Sequence, residues 1–120
     1  MRDHTSLLAW QEARAVSLAV VRLTNEHWRP QGGAILGQLQ RASVSAQVNI
    51  AEGYAWAHSP AYFRHLKIAY GSAVECGDLL ALLGDSGLAP QDLVAPTIER
   101  CRRCQRLLLG LLHSRRPSQV

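Results

Sequence analysis

Apolar residues recur along this chain every three to four positions, in four long runs separated by three breaks. In the first run, from about Ser6 to Trp28, Leu7, Trp10, Ala13, Val16, Val20 and Leu23 keep helical spacing, and Thr5 or Ser6 offers an oxygen to cap the start. Arg29-Pro30-Gln31-Gly32-Gly33 ends it, because proline lacks the backbone donor and the glycines favour a turn. The second run, about 34–56, sets Leu36, Leu39, Ser43, Ala46, Ile50 and Gly53 on one seam of mostly small residues, which lets a neighbouring helix approach closely. Ser59-Pro60 marks the start of the third run, with serine as N-cap and proline in the first helical position.

That third run, about 60–86, has one seam of Phe63, Leu66, Tyr70, Ala73, Gly77, Leu80 and Gly84. A second apolar set, Ile68, Cys76, Leu79, Leu82 and Leu83, lies off the seam. Asp85-Ser86-Gly87 breaks it, with Gly87 suited to the position after the helix end. The fourth run, about 89–113, carries Leu93, Val94, Ile98, Cys101, Leu108, Leu111 and Leu112, and 114–120 reads as a frayed tail. No segment alternates as a strand does. Four helices joined by short links must run antiparallel, so the pattern predicts an all-α, up-down-up-down four-helix bundle. Its 120 residues form one domain, 1–120.

Charge adds a second layer. Residues 1–89 hold seven basic and seven acidic side chains. Residues 90–120 hold six arginines against Asp92 and Glu99, so the whole net charge of +4 resides in the last quarter. Arg100, Arg102, Arg103 and Arg106 lie three and four apart on the fourth helix. They are the candidate nucleic-acid contacts, on a face opposite Ile98, Cys101 and Leu108, with Glu99 the only carboxylate beyond Asp92. No apolar run is long enough for a membrane span, and the first residues lack a signal-peptide pattern, which predicts a cytoplasmic protein.

Candidate chemistry is sparse. Cys101-Arg102-Arg103-Cys104 has the spacing of a metal or redox pair. It lacks a second pair, and Cys101 continues an apolar stripe, so it reads as core. The third thiol, Cys76, falls in the third helix. The five histidines, His4, His27, His58, His65 and His113, form no metal-binding spacing, and Gly32-Gly33 lacks the lysine and strand of a phosphate loop. No catalytic residue, cofactor site or metal site is predicted. Asn49 and Glu52 put two polar groups beside the small-residue seam. The expectation is that both are largely buried and bonded to the start of the third helix or to Gly71-Ser72, clamping the helices together.

At this stretch the chain resembles a known family. Gln38-Leu39-Gln40-Arg41-Ala42-Ser43-Val44-Ser45 followed by Asn49-Ile50-Ala51-Glu52-Gly53 is similar to the signature of four-helix-bundle proteins encoded in intervening sequences of bacterial 23S rRNA genes. Leu8-Ala9-Trp10-Gln11-Glu12-Ala13, Tyr62-Phe63 and Ile68-Ala69-Tyr70-Gly71-Ser72-Ala73-Val74-Glu75 extend the likeness. It implies that Asn49, Glu52, Gly53, Gly71, Ser72 and Glu75 are motif residues, that the protein is a homopentamer and that it has no enzymatic activity. A related bundle, the accessory protein of diversity-generating retroelements, binds nucleic acid through a basic surface. This chain has Gln40-Arg41 and Tyr54-Ala55-Trp56-Ala57 where the family often carries basic residues, which leaves the fourth helix as its basic element. Two functions follow: an oligomer that binds RNA or DNA through that helix, or a scaffold for a protein partner that uses exposed aromatics at Tyr54, Trp56 and Tyr62.

Overall fold

In the computed structural model, which describes residues 3–57 and 59–114, a 3-10 turn at His4–Ser6 precedes four α-helices. These are α1 (Leu8–His27), α2 (Gly33–Ala55), α3 (Pro60–Asp85) and α4 (Gln91–Ser114). The expected tail after Ser114 lies outside the described residues. No described helix is long and apolar enough to cross a membrane.

The breaks fall where proline, glycine and capping chemistry require them, with two differences. Thr5 and Ser6 do not cap α1. They belong to the 3-10 turn, which Asp3 caps by accepting from the Thr5 N–H at 2.9 Å, and Leu7 then leads into α1 without a side-chain cap. Ser59 is the N-cap of α3, yet its hydroxyl donates back to the Trp56 carbonyl at 2.6 Å rather than accepting from the helix. Gly87 adopts φ 77°, the left-handed conformation that glycine takes without a Cβ clash, and turns the chain from α3 to α4.

Contacts between neighbouring helices run in opposite directions. Going up α2, Gln38, Ser45 and Asn49 meet Glu75, Ser72 and His65 going down α3. Ala73 of α3 meets Cys101 of α4, whereas Gly84 lies by Gln91. Glu12 of α1 reaches Arg100, and Arg29 after α1 reaches the Gly87 carbonyl after α3. Each helix is therefore antiparallel to the next, and α1 closes the bundle against α4.

The α2 seam is buried along its whole length: Leu36, Leu39, Ser43, Ala46, Ile50 and Gly53 all face the core. On α3 the buried stripe is wider than the expected seam. Cys76 and Leu83 from the second apolar set are buried and Leu79 packs against the core, while Ile68 and Leu82 remain exposed. A helix enclosed by two neighbours has a broad buried arc, so a single 3.5-residue seam underestimates it. On α4, Val94, Cys101, Cys104 and Leu108 are buried, and Leu93, expected inside, is exposed.

Candidate nucleic-acid interface

The motif residues line the flank where α2 and α3 meet. The Asn49 side-chain amide donates to the Ser45 carbonyl at 2.9 Å, which turns its oxygen towards His65 Nδ1, also at 2.9 Å. Because that oxygen accepts, the neutral His65 ring carries its proton on Nδ1. Beside this pair the Ser45 and Ser72 hydroxyls bond each other at 2.8 Å. Towards the start of α2, Arg41 donates to the Gln38 side-chain oxygen at 2.9 Å, and the Gln38 amide donates to Glu75 at 2.6 Å. Gly53 permits the closeness: a Cβ there would stand 3.0 Å from the His65 Cβ and 3.5 Å from the Tyr62 carbonyl.

Glu52 departs from expectation. Its side chain is 56% exposed, and its nearest charged neighbour is His65 Nδ1 at 3.9 Å. Asn49 performs the clamping expected of both residues. Three positions apart on the helix, their directions differ by only about 60°: Asn49 faces α3, and Glu52 stands at the edge of the same contact, turned to solvent. Gly71 differs from Gly53, with nothing within 4 Å of a Cβ built on it. Tyr62, one of the aromatics expected at the surface, is buried; Tyr54 is half-buried and Trp56 is exposed.

All four candidate arginines of α4 are exposed, and Cys101 and Leu108 face the core opposite them. They do not form one uncompensated strip. Glu12, only 13% exposed, reaches across from α1 to Arg100 at 3.2 Å and to Arg103 at 3.7 Å. Arg102 turns the other way and lines an α3/α4 groove with Glu75 and Asp78. Counting acids only along α4 misses these three carboxylates, because they are distant in sequence and adjacent in the fold.

The antiparallel arrangement instead gathers charge by end. Arg100, Arg102 and Arg103 lie near the waist, with Glu12, which pairs with two of them, and Glu75, which shares the groove of Arg102. Beyond them, the end holding the start of α1, the end of α2, the start of α3 and the end of α4 carries Arg14, Arg64, Lys67 and Arg106 against Asp3 and Glu52. The opposite end carries Arg22, Arg29 and Arg41 against Glu26, Asp78, Asp85, Asp92 and Glu99. Among the described residues the excess is thus +2 at one end and −2 at the other, along a molecule 49 Å long. Arg64 and Lys67 carry no charge signal in the sequence, since both lie in the segment whose total charge is zero. Arg2, Arg115 and Arg116 lie outside the described residues.

The cysteines belong to the core. Cys76, Cys101 and Cys104 are free thiols, each about 1% exposed, around a small cavity shared with Ala13, Val16, Ser43, Ala46 and Ala73. Cys101 donates to the Ala73 carbonyl at 3.0 Å. The thiol hydrogen bond between Cys76 and Cys101, together with burial, raises the Cys76 pKa; the same bond lowers that of Cys101. Burial pushes Cys104 up to about 12. Among the described residues no group of three or more histidine, cysteine or acidic side chains is placed to hold a metal ion.

A family model described as 23S rRNA-intervening sequence protein matches residues 5–110, which takes in all four helices except the end of α4. No curated protein matches the chain.

Proposed function

Because the chain belongs to the 23S rRNA-intervening sequence protein family, we propose that it is a non-catalytic, oligomeric bundle of the cytoplasm that binds RNA or DNA weakly and without sequence preference. The observation that carries this reading is the segregation of charge. Arg64, Lys67 and Arg106 stand at one end of the bundle, and five of the nine carboxylates stand at the other. Such an end attracts phosphates and orients the molecule on a polyanion. Arg100, Arg102 and Arg103, near the waist and close to carboxylates, contribute less.

Self-association rests on a second observation. Leu18 and Val21 of α1, Val44 and Val48 of α2, and Ile68 and Leu82 of α3 are each more than a third exposed. Val44 and Val48, with Gly37 and Arg41, line a shallow hollow of about 510 Å³ along α2. A small domain that leaves this much apolar surface uncovered gains by burying it against another copy, and the resemblance implies five subunits. Repetition of a weak basic end around a ring multiplies its affinity. The same surfaces support the alternative, a scaffold for another protein.

Electrophoretic shift of labelled RNA and DNA tests the nucleic-acid reading. Binding is expected at low salt and must weaken steeply between about 50 and 200 mM salt. The triple variant Arg64→Gln, Lys67→Gln and Arg106→Gln is expected to lose most of it. Wild-type protein that shifts neither nucleic acid at low salt sinks the reading and leaves the scaffold. Light scattering that returns a monomer mass at micromolar concentration sinks the oligomer.

A further inference from the structure

The three tryptophans have different surroundings. Trp10 is half-buried, with the His4 ring edge-on at 5.1 Å and the Arg14 guanidinium 5.9 Å from its ring centre. Trp28 is 58% exposed, but its indole covers the start of α2, and a Cβ built on Gly33 would touch it at 3.2 Å. Trp56 is equally exposed, and no ring or cation contact among the described residues engages its indole. Its backbone is nevertheless fixed. The Trp56 N–H donates to the Gly53 carbonyl at 2.9 Å, while its own carbonyl accepts from the Ser59 N–H at 3.1 Å and the Ser59 hydroxyl at 2.6 Å.

Trp56 follows α2 at the basic end of the bundle, next to the start of α3 that carries Arg64 and Lys67. No ion pair among the described residues occupies Arg64, Lys67 or Arg106. A flat apolar ring held on an anchored backbone, at the end of the bundle that also carries cations outside any ion pair, suits a nucleobase on the ring and its phosphates on the cations. A duplex does not present that combination, because its bases are stacked inside.

We propose that Trp56 is a stacking platform for an unpaired base, and that the basic end of this bundle binds single-stranded nucleic acid in preference to duplex. This deepens the nucleic-acid reading and rests on it. Stacking accepts any base, so the site has no sequence preference. Lys67 and Arg64 contact phosphates and account for the salt dependence.

The test uses the full chain carrying Trp10→Phe and Trp28→Phe, in which Trp56 is the only fluorescent indole. This protein is titrated with oligouridylate, oligothymidylate and a blunt duplex of equal length. The expected result is quenching by both single strands and little by the duplex. Trp56→Ala in the otherwise unaltered chain is expected to weaken single-strand binding about tenfold or more, with duplex binding and melting temperature unchanged, and Trp56→Phe to restore most of the affinity. If single strands bind but Trp56→Ala matches the wild type and the fluorescence stays constant, the platform is overturned while the nucleic-acid reading stands. If no nucleic acid binds and Trp56→Ala instead lowers the oligomer mass, both fall and Trp56 is a protein contact.

Discussion

Replacing each of two glycines by alanine should shift stability in opposite directions. Gly53 and Gly71 both lie within helices, where alanine is favoured over glycine by about 0.5–1 kcal/mol. At Gly71 a Cβ meets nothing within 4 Å, so Gly71→Ala should gain that amount and raise the melting temperature by roughly 2–4 °C. At Gly53 a Cβ would stand 3.0 Å from the His65 Cβ. That atom is fixed to the α3 backbone and cannot rotate away. The α2–α3 approach must open by a few tenths of an ångström, which strains the Asn49–His65 hydrogen bond of 2.9 Å. Overpacking of this kind costs about 1–3 kcal/mol. Gly53 lies in the last turn of α2, so its propensity gain is at the low end. The net result is a loss of about 1 kcal/mol and a fall of roughly 4 °C. Thermal and urea unfolding at one protein concentration measures both. A Gly53→Ala protein as stable as the wild type would refute the view that α2 and α3 need glycine to meet. A destabilised Gly71→Ala protein would show that something outside the single chain approaches that site.

Glu12→Gln should cost less than about 1 kcal/mol, because Arg100 and Arg103 are more than half exposed; it should also tighten low-salt binding of nucleic acid, as seen in the same shift assay. Alkylation of the folded protein at neutral pH should modify none of the three cysteines, whereas denatured protein should take up three labels, counted by mass spectrometry; native modification of Cys104 would contradict its burial. The Cys104 pKa is raised from 9.0 to about 12, so the folded state keeps a proton that the unfolded chain releases. The associated stability is present below about pH 9 and is lost as the pH rises towards 12. Cys104→Ala should flatten that alkaline loss in melts across this window. Restoring one cation after Gly53 with Tyr54→Arg should increase the salt dependence of binding by about one phosphate contact.

Periodicity and breakers along the chain were enough to specify four helices, their antiparallel order and most of the core, because helical phase is a local property. The seam from Leu36 to Gly53 is buried as its spacing requires, and the cysteines of α4 follow the apolar stripe into the core. The motif residues were legible as a group, yet Asn49 and Glu52 parted company. Which polar residue faces a neighbour depends on where α3 crosses α2, and that crossing is decided by small residues on both helices. The charge pattern was the least legible. Arg100, Arg102, Arg103 and Arg106 form a cluster in sequence, but the fold brings Glu12 from α1 and Glu75 and Asp78 from α3 beside three of them. The same fold assembles an end from Arg64, Lys67 and Arg106, residues up to 42 positions apart. A sequence lists charges in chain order. Electrostatic potential depends on distance in space, and only the antiparallel packing of the four helices sets which distant residues share an end.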